Sequence, residues 1–216
     1  MQEKLPMLLS VVLVVRNDAR ILQRILSQAN EILQVYAEDY EIIVIDNGST
    51  DDTKYELSKI TQYHGLPNVQ AYILAEKVEE ISARWIGFEN SIGDFIISIE
   101  PEIEQLNYLQ KFVEKIKNGC DLILVNTNKS LVGQRANKNK RNKILSKFTL
   151  YMFLQWLIRI STGLKINQYS KINIGLNQKI INYLMQFTDP QIKLRSLSSL
   201  TGFDAVVLNM PLEKKE

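Results

Sequence analysis

Acidic side chains carry the chemistry open to this chain. It has one histidine, His64, in a YHGLPN turn, and one cysteine, Cys120. An intrachain disulfide, a cysteine zinc site, histidine-based metal sites and a Ser-His-Asp triad are therefore set aside. Two acidic constellations remain. In the first, YEIIVIDNGSTDDT at residues 40–53, a β-rich apolar run delivers Asp46 to an Asn47-Gly48 turn, and Ser49, Asp51 and Asp52 open a helical pattern. A carboxylate at the carboxyl end of a strand stands at the mouth of the crevice of an open α/β sheet. There it can accept hydrogen bonds from a ribose hydroxyl or a base N–H. Asp51 and Asp52 are placed to cap the helix, and the whole stretch is also ordinary turn chemistry. In the second constellation, Glu100-Pro101-Glu102 follows an apolar strand and Glu104 continues the alternation. Alternate positions of an extended segment point to one side, so these carboxylates can reach one divalent cation. Such a cation would neutralise charge on a leaving diphosphate. The competing reading is acidic decoration of the next helix's first turn, favoured by its dipole.

The elements that must position these groups follow from periodicity. Residues 8–15 read as a buried parallel strand. Asp18 heads a helix whose apolar positions, from Ile21 to Tyr36, recur at three and four. Residues 42–45 form the second strand, with a helix at about 51–63. Strands at 69–74, 95–99 and 122–125 alternate with helices at about 79–91 and 106–117. This alternation predicts βαβ units, hence an α/β fold with a mostly parallel sheet flanked by helices. Further on, the pattern predicts a helix near 178–187 and short strands near 192–197 and 205–208.

Composition sets the remaining bounds. At 45% apolar and 23% charged over 216 residues, the chain fits one globular domain with its own core. Residues 1–126 read as its α/β half and 127–216 as a second half with a basic loop, an apolar helix and a small mixed tail. Charge divides the same way: residues 1–121 hold 20 acidic and 11 basic side chains, while residues 122–188 hold no acidic and 11 basic ones. The second stretch is suited to meet anions. It begins with a polar basic loop, NTNKSLVGQRANKNKRNK, followed by ILSKFTLYMFLQWLIRI at 144–160. At about 17 residues that run is short for a bilayer span. It suits a buried helix, a dimer interface or a contact with a membrane surface. Aromatic residues do not interleave with the cations of 129–147, which argues against nucleic acid. The apolar start lacks a small-residue cleavage site, so a signal peptide is not expected and a cytoplasmic location is.

The order of pieces resembles family 2 glycosyltransferases of the GT-A, Rossmann-like fold, nearest to the branch of dolichyl-phosphate mannose synthases and other polyprenyl-phosphate glycosyltransferases. The resemblance is carried by LSVVLVVRND, IVIDNGSTDDT, Ala83-Arg84 with Gly87, GDFIISIEPE, CDLILVN and RNKILSK, spread through about two thirds of the chain. It implies a sugar moved from a nucleotide-diphosphate donor, with Mg2+ or Mn2+, to an acceptor such as a polyprenyl phosphate at the cytoplasmic face of the membrane. Asp46 would contact the base or ribose, with Val15, Asn17 and Asn47 in the same pocket. Arg84 would lie beside the ribose-diphosphate and Asp94 close to the donor sugar or its support. Glu100 and Glu102 stand where the family has its Asp-x-Asp metal motif, and Glu104 where a further ligand can come. Arg135, Arg141 and Lys143 would meet the diphosphate or an acceptor phosphate.

Departures from the family pattern define an alternative. Two glutamates replace two aspartates, and Gln168, Ser170-Lys171-Ile172 and Ile174 stand where the polyprenyl branch has an acidic residue and a Ser-Gly-x-Arg-like stretch. Gln168 cannot act as a general base. A non-catalytic binding or scaffold subunit with a degenerate metal motif is the second expectation.

Overall fold

Eleven residues of nearly continuous apolar sequence, Leu5–Val15, form β1, the strand around which the sheet is laid down. The structure, a computed structural model, describes residues 3–62, 65, 66, 68–127, 173–188 and 203–210. After β1 come α1 (Ala19–Tyr36), β2 (Ala37–Asp46), α2 (Thr53–Ile60), β3 (Val69–Ile73), α3 (Glu80–Glu89) and β4 (Phe95–Ser98). Then follow α4 (Ile103–Leu106), α5 (Leu109–Lys117), β5 (Leu122–Thr127), β6 (Ile174–Asn177), α6 (Gln178–Leu184) and β7 (Ala205–Met210). The seven strands form one sheet in the order β3-β2-β1-β4-β6-β5-β7. β1 pairs in parallel with β2 and β4, β2 with β3, and β5 with β7. β6 runs antiparallel to both its neighbours.

Alternation along the strands explains the two-sided core. Leu9, Val11, Leu13 and Val15 of β1, with Ile42 and Val44 of β2, face a layer made by α1, α2 and α5. Val12, Ile43 and Ile45 face the opposite layer, made by α3 and α6. A strand buried on both faces has no polar side to show, which is why β1 reads as a continuous apolar run. α3 lies close against β1 because Gly87 has no side chain: a Cβ there would stand 2.3 Å from Val12 Cγ1.

Several boundaries differ from the sequence expectation. β6 had no counterpart in the predicted pattern, since four residues running straight into a helix show no period to read. The helix predicted over 106–117 is α5, which starts at Leu109, and a separate short helix, α4, precedes it, with Asn107 and Tyr108 between them. Asp18 and Asp52 occupy N-cap positions without a side-chain cap bond. Asp18 instead accepts the Arg16 N–H at 2.9 Å. Asp51 does the helix-entry work, accepting the Thr53 N–H at 3.0 Å and reaching the Ala19 N–H at 3.3 Å, so that it joins the starts of α1 and α2. The basic loop, residues 144–160, Gln168 and the strand expected at 192–197 lie outside the described residues. Among the described residues no helix is long and apolar enough to cross a membrane.

Candidate functional site

At the carboxyl ends of β1, β2 and β4 the chain opens into a cleft of about 1070 Å³. Its walls come from the end of β1 through Val15 and Arg16, the first turns of α1 at Ile21 and Arg24, residues 77–80, and residues 100–104. β1 and β2 end in register, Val15 opposite Asp46, and the Asn47 N–H donates to the Val15 carbonyl at 2.9 Å. Of the strand-turn-helix predicted from residues 40–53, Asn47 lines this cleft, and Asp46 lies directly behind it.

Asp46 is 0% exposed. Its Oδ1 accepts from the Ser49 N–H at 3.1 Å and from the Ser49 hydroxyl. Its Oδ2 is buried and has no hydrogen-bond partner among the described residues. An unmatched buried carboxylate oxygen costs roughly 1–3 kcal/mol or more; Asp46 itself does not line the cleft, whereas its neighbours Val15 and Asn47 do.

Asn47 and Gly48 shape the next wall. The Asn47 side chain accepts from the Val78 N–H at 2.9 Å and donates to the Val78 carbonyl at 3.1 Å. Gly48 takes φ +65, and a Cβ on it would stand 2.5 Å from Lys77 N. The turn after β2 thus clasps the segment that brings Lys77 and Val78 to the cleft. Asn17, at φ 58, uses its side-chain oxygen on the Thr50 N–H at 2.8 Å, and its own N–H donates to the Ser49 hydroxyl at 2.9 Å. Asn17 therefore ties the β1 end to the β2 turn; it is not among the residues lining the cleft.

The acidic segment departs from the extended geometry expected of it. The Glu102 N–H donates to the Glu100 carbonyl at 2.8 Å, closing a three-residue turn across Pro101. Alternation of an extended strand therefore does not govern where Glu100, Glu102 and Glu104 go. Glu100 is buried and ion-paired with Arg84. Arg84, its side chain 4% exposed, also meets Glu80 at 2.7 Å and the Ser98 hydroxyl at 2.6 Å. Arg84 is thus a buried hub under the cleft. Glu102 is half-buried on the cleft wall and Glu104 is exposed at the start of α4. Among the described residues no three His, Cys, Asp or Glu side chains form a group that could hold a metal ion. The donor set fits a cation that takes one carboxylate from the protein and its other oxygens from phosphates and water, as Mg2+ commonly does.

Asp94 lies elsewhere. It precedes β4, at the amino-terminal edge of the sheet, where its carboxylate accepts the Leu8 N–H at 3.0 Å and its own N–H donates to the Leu8 carbonyl at 2.8 Å. The length of β4, roughly 13 Å at 3.3 Å per residue, separates it from the cleft, and its bonds there are to the backbone of β1. Arg135, Arg141 and Lys143 lie outside the described residues. Residues that the sequence did not single out also reach the site: Lys77 and Arg24 line the cleft, and Ser98 and Asn173 bond to the Arg84–Glu100 group from below. Ser98 carried a faint signal, a polar residue inside an apolar strand; Asn173 carried none.

The sequence model described as Glycosyl transferase family 2 matches residues 10–191. A protein named undecaprenyl-phosphate 4-deoxy-4-formamido-L-arabinose transferase from Klebsiella pneumoniae (strain 342) is 25% identical over 177 residues, covering 82% of this chain and 50% of that one. The protein of the same name from Enterobacter sp. (strain 638) is 25% identical over 115 residues, 53% of this chain and 35% of that one. The chain thus spans half or less of the length of these curated relatives. Among solved structures, glucosyl-3-phosphoglycerate synthase from Mycobacterium tuberculosis in complex with Mn2+, UDP and phosphoglyceric acid matches with a TM-score of 0.62 at 14% identity, covering 95% of this chain and 69% of that one. Its complex with Mg2+ and UDP matches at 0.60 and 12%, covering 95% and 70%. The likeness shows the fold: one continuous sheet flanked by helices, of the GT-A, Rossmann-like kind.

Proposed function

Because the chain belongs to glycosyl transferase family 2, we propose that it moves a sugar from a nucleotide-diphosphate donor to an acceptor, with the donor seated across the carboxyl ends of β1, β2 and β4. The observation that carries this reading is the buried, unpartnered Oδ2 of Asp46, whose neighbours Val15 and Asn47 line the cleft. A nucleobase N–H or a ribose hydroxyl has the donor hydrogen that this oxygen lacks. Val15, Arg16 and Asn47 flank that position, and Lys77 and Arg24 bring positive charge to the same cleft.

Glu102 is the carboxylate placed to hold a divalent cation, Mg2+ or Mn2+, together with the diphosphate. When bound, that cation neutralises the charge growing on the leaving diphosphate. Arg84 holds Glu100 in place, and Glu104 stands further out on the rim. Arg135 and Arg141 add positive charge for the leaving group or for an acceptor phosphate. The acceptor is a polyprenyl phosphate, a reading supported by the names of the Klebsiella and Enterobacter relatives and by the basic stretch beside residues 144–160, which suits an anionic lipid head at a membrane surface. A phosphate acceptor arrives already ionised, so the absence of a carboxylate at Gln168 does not stop the attack on the anomeric carbon.

Calorimetric titration with UDP, GDP and other nucleoside diphosphates, with and without Mn2+, tests the donor site. Binding of one diphosphate that strengthens with metal and weakens in Glu102→Ala is expected; no binding under any condition would overturn the reading. A second reading is favoured by the Arg84–Glu100 pair, which takes one of the two motif carboxylates out of metal binding. A non-catalytic nucleotide-binding subunit would bind diphosphate and show no transfer to a polyprenyl phosphate.

A further inference from the structure

Asn173 immediately precedes β6 and is 1% exposed. Its Oδ1 accepts the Glu100 N–H at 2.8 Å, and its Nδ2 donates to Gln105 Oε1 at 2.8 Å. Its carbonyl accepts the Val125 N–H at 3.0 Å. A main-chain N–H can only donate, so the contact with Glu100 sets which end of the amide is oxygen. One side chain therefore grips both ends of the acidic arc: Glu100 at its start and Gln105 in α4, with Pro101 and Glu102 between. The arc is closed internally by the Glu102 N–H on the Glu100 carbonyl, and α4 is braced from outside by Gln28, whose amide reaches Asn107 at 3.2 Å.

Free rotation of this arc would carry the Glu102 carboxylate across the cleft wall. A turn with a proline at its centre has few conformations, but its two ends decide where it points. Arg84 fixes the Glu100 side chain from α3, and Asn173 fixes the Glu100 main chain and the first turn of α4 from the opposite side of β4. We propose that Asn173 is a positioning residue for Glu102, setting the place of that carboxylate toward a diphosphate-bound divalent cation. The proposal rests on the donor-site reading. It also makes β6, the one antiparallel strand of the described sheet, the element that carries this brace, since β6 pairs with β4 at Ser98↔Ile174, next to both residues.

The test is titration of UDP with and without Mn2+ into wild type, Asn173→Ala and Asn173→Asp, with thermal melting of each. The informative quantity is the metal enhancement, the ratio of the two dissociation constants. Asn173→Ala is expected to reduce it about 10-fold or more and to leave metal-free UDP binding within about twofold. In a Glu102→Ala background the same substitution should change the enhancement no further, because the two act through one group. Asn173→Asp keeps an acceptor for Glu100 N–H and lets Gln105 turn its amide to donate; it should recover most of the enhancement. If the alanine variant does not fold, Gln105→Met, which removes the outer contact alone, carries the comparison with an expected loss of about threefold.

A folded Asn173→Ala with wild-type enhancement and a lower melting temperature would overturn the proposal, leaving Asn173 as a satisfied core amide. Equal losses with and without Mn2+ would also overturn it. Wild type that binds UDP with no response to Mn2+ defeats this proposal and leaves the donor site standing. Wild type that binds no nucleoside diphosphate defeats the donor site itself.

Discussion

Glu41 and Asp46 sit on the same strand, five residues apart, and both are buried, at 5% and 0% exposed; they meet opposite fates. Glu41, near the amino-terminal edge of the sheet, accepts from the Ser10 hydroxyl at 2.5 Å, the Ile92 N–H at 2.9 Å and the Gln70 amide at 3.0 Å. The Ser10 hydroxyl accepts in turn from the Gly93 N–H at 2.9 Å. Beside them Asp94 is stitched to Leu8, and Asn177 to Asp121. Apart from the amide oxygen of Gln178, the described buried polar atoms of this edge are matched within the chain. At the carboxyl-terminal edge Asp46 keeps an oxygen with no partner, and the cleft opens next to it. Equal burial with unequal satisfaction separates a carboxylate that holds the fold from one with an oxygen left over for the proposed ligand.

The largest effect should come from breaking the satisfied edge. Glu41→Leu removes the acceptor of three donors at once and leaves the fully buried Ser10 hydroxyl without it. A loss of about 3 kcal/mol in unfolding free energy is expected, read by urea denaturation, with UDP affinity within about twofold of wild type. If affinity fell in step with stability, the two edges would not be separable.

Breaking the other edge should invert that pattern. Asp46→Asn keeps an oxygen for Ser49 and turns the unpartnered position into an N–H donor, which faces a ligand donor with its like. UDP binding should weaken about 30- to 100-fold, roughly 2–3 kcal/mol for a hydrogen bond to a charged group, while the urea midpoint holds or rises. A lower midpoint with unchanged binding would place Asp46 with Glu41, as structure.

Gly87→Ala tests the coupling between packing and the cleft. The added methyl would stand 2.3 Å from Val12 Cγ1, so α3 must move away from β1. Overpacking of this kind costs about 1–3 kcal/mol. Because Arg84 lies one turn earlier on α3, the shift should also weaken metal-dependent UDP binding, which separates it from Glu41→Leu. Loss of stability with full metal response would show that Arg84 holds Glu100 without help from the α3 contact.

What the sequence revealed follows the distance over which each feature is decided. β1, β2 and the Asp46 turn were legible because strand, turn and helix entry are written within fourteen residues. The role of Asp94 rests on the resemblance alone, and nothing local announces its bond to the Leu8 N–H, 86 residues away. The Glu100–Glu102 geometry failed because a turn across Pro101 replaced the assumed extended segment. Asn173 could not be read at all, since its contact with Glu100 spans 73 residues and depends on β6 entering the sheet against its neighbours' direction. Glu100 with Arg84 is half legible: the Ala83-Arg84 piece stands out, but nothing local marks its partner 16 residues on.

The smallest expected effect belongs to Asp51, on the cleft side of the molecule yet fully used by the fold. Its carboxylate accepts from the Thr53 hydroxyl at 2.5 Å and from the Thr53 N–H at 3.0 Å. These bonds, the hydroxyl first, hold its pKa below the usual 3.8. A group whose pKa is lower folded than unfolded binds fewer protons in the native state, so it adds stability above its unfolded value and loses that contribution as pH falls through its folded value. Asp51→Asn keeps an acceptor for Thr53 and removes the titration. The difference in urea midpoint between wild type and Asp51→Asn should therefore be constant from neutral pH down to about pH 5 and shrink below about pH 4. A difference that stayed constant to pH 2 would mean that Asp51 is worth no more charged than neutral. Asp51 would then join the starts of α1 and α2 through the geometry of its hydrogen bonds alone.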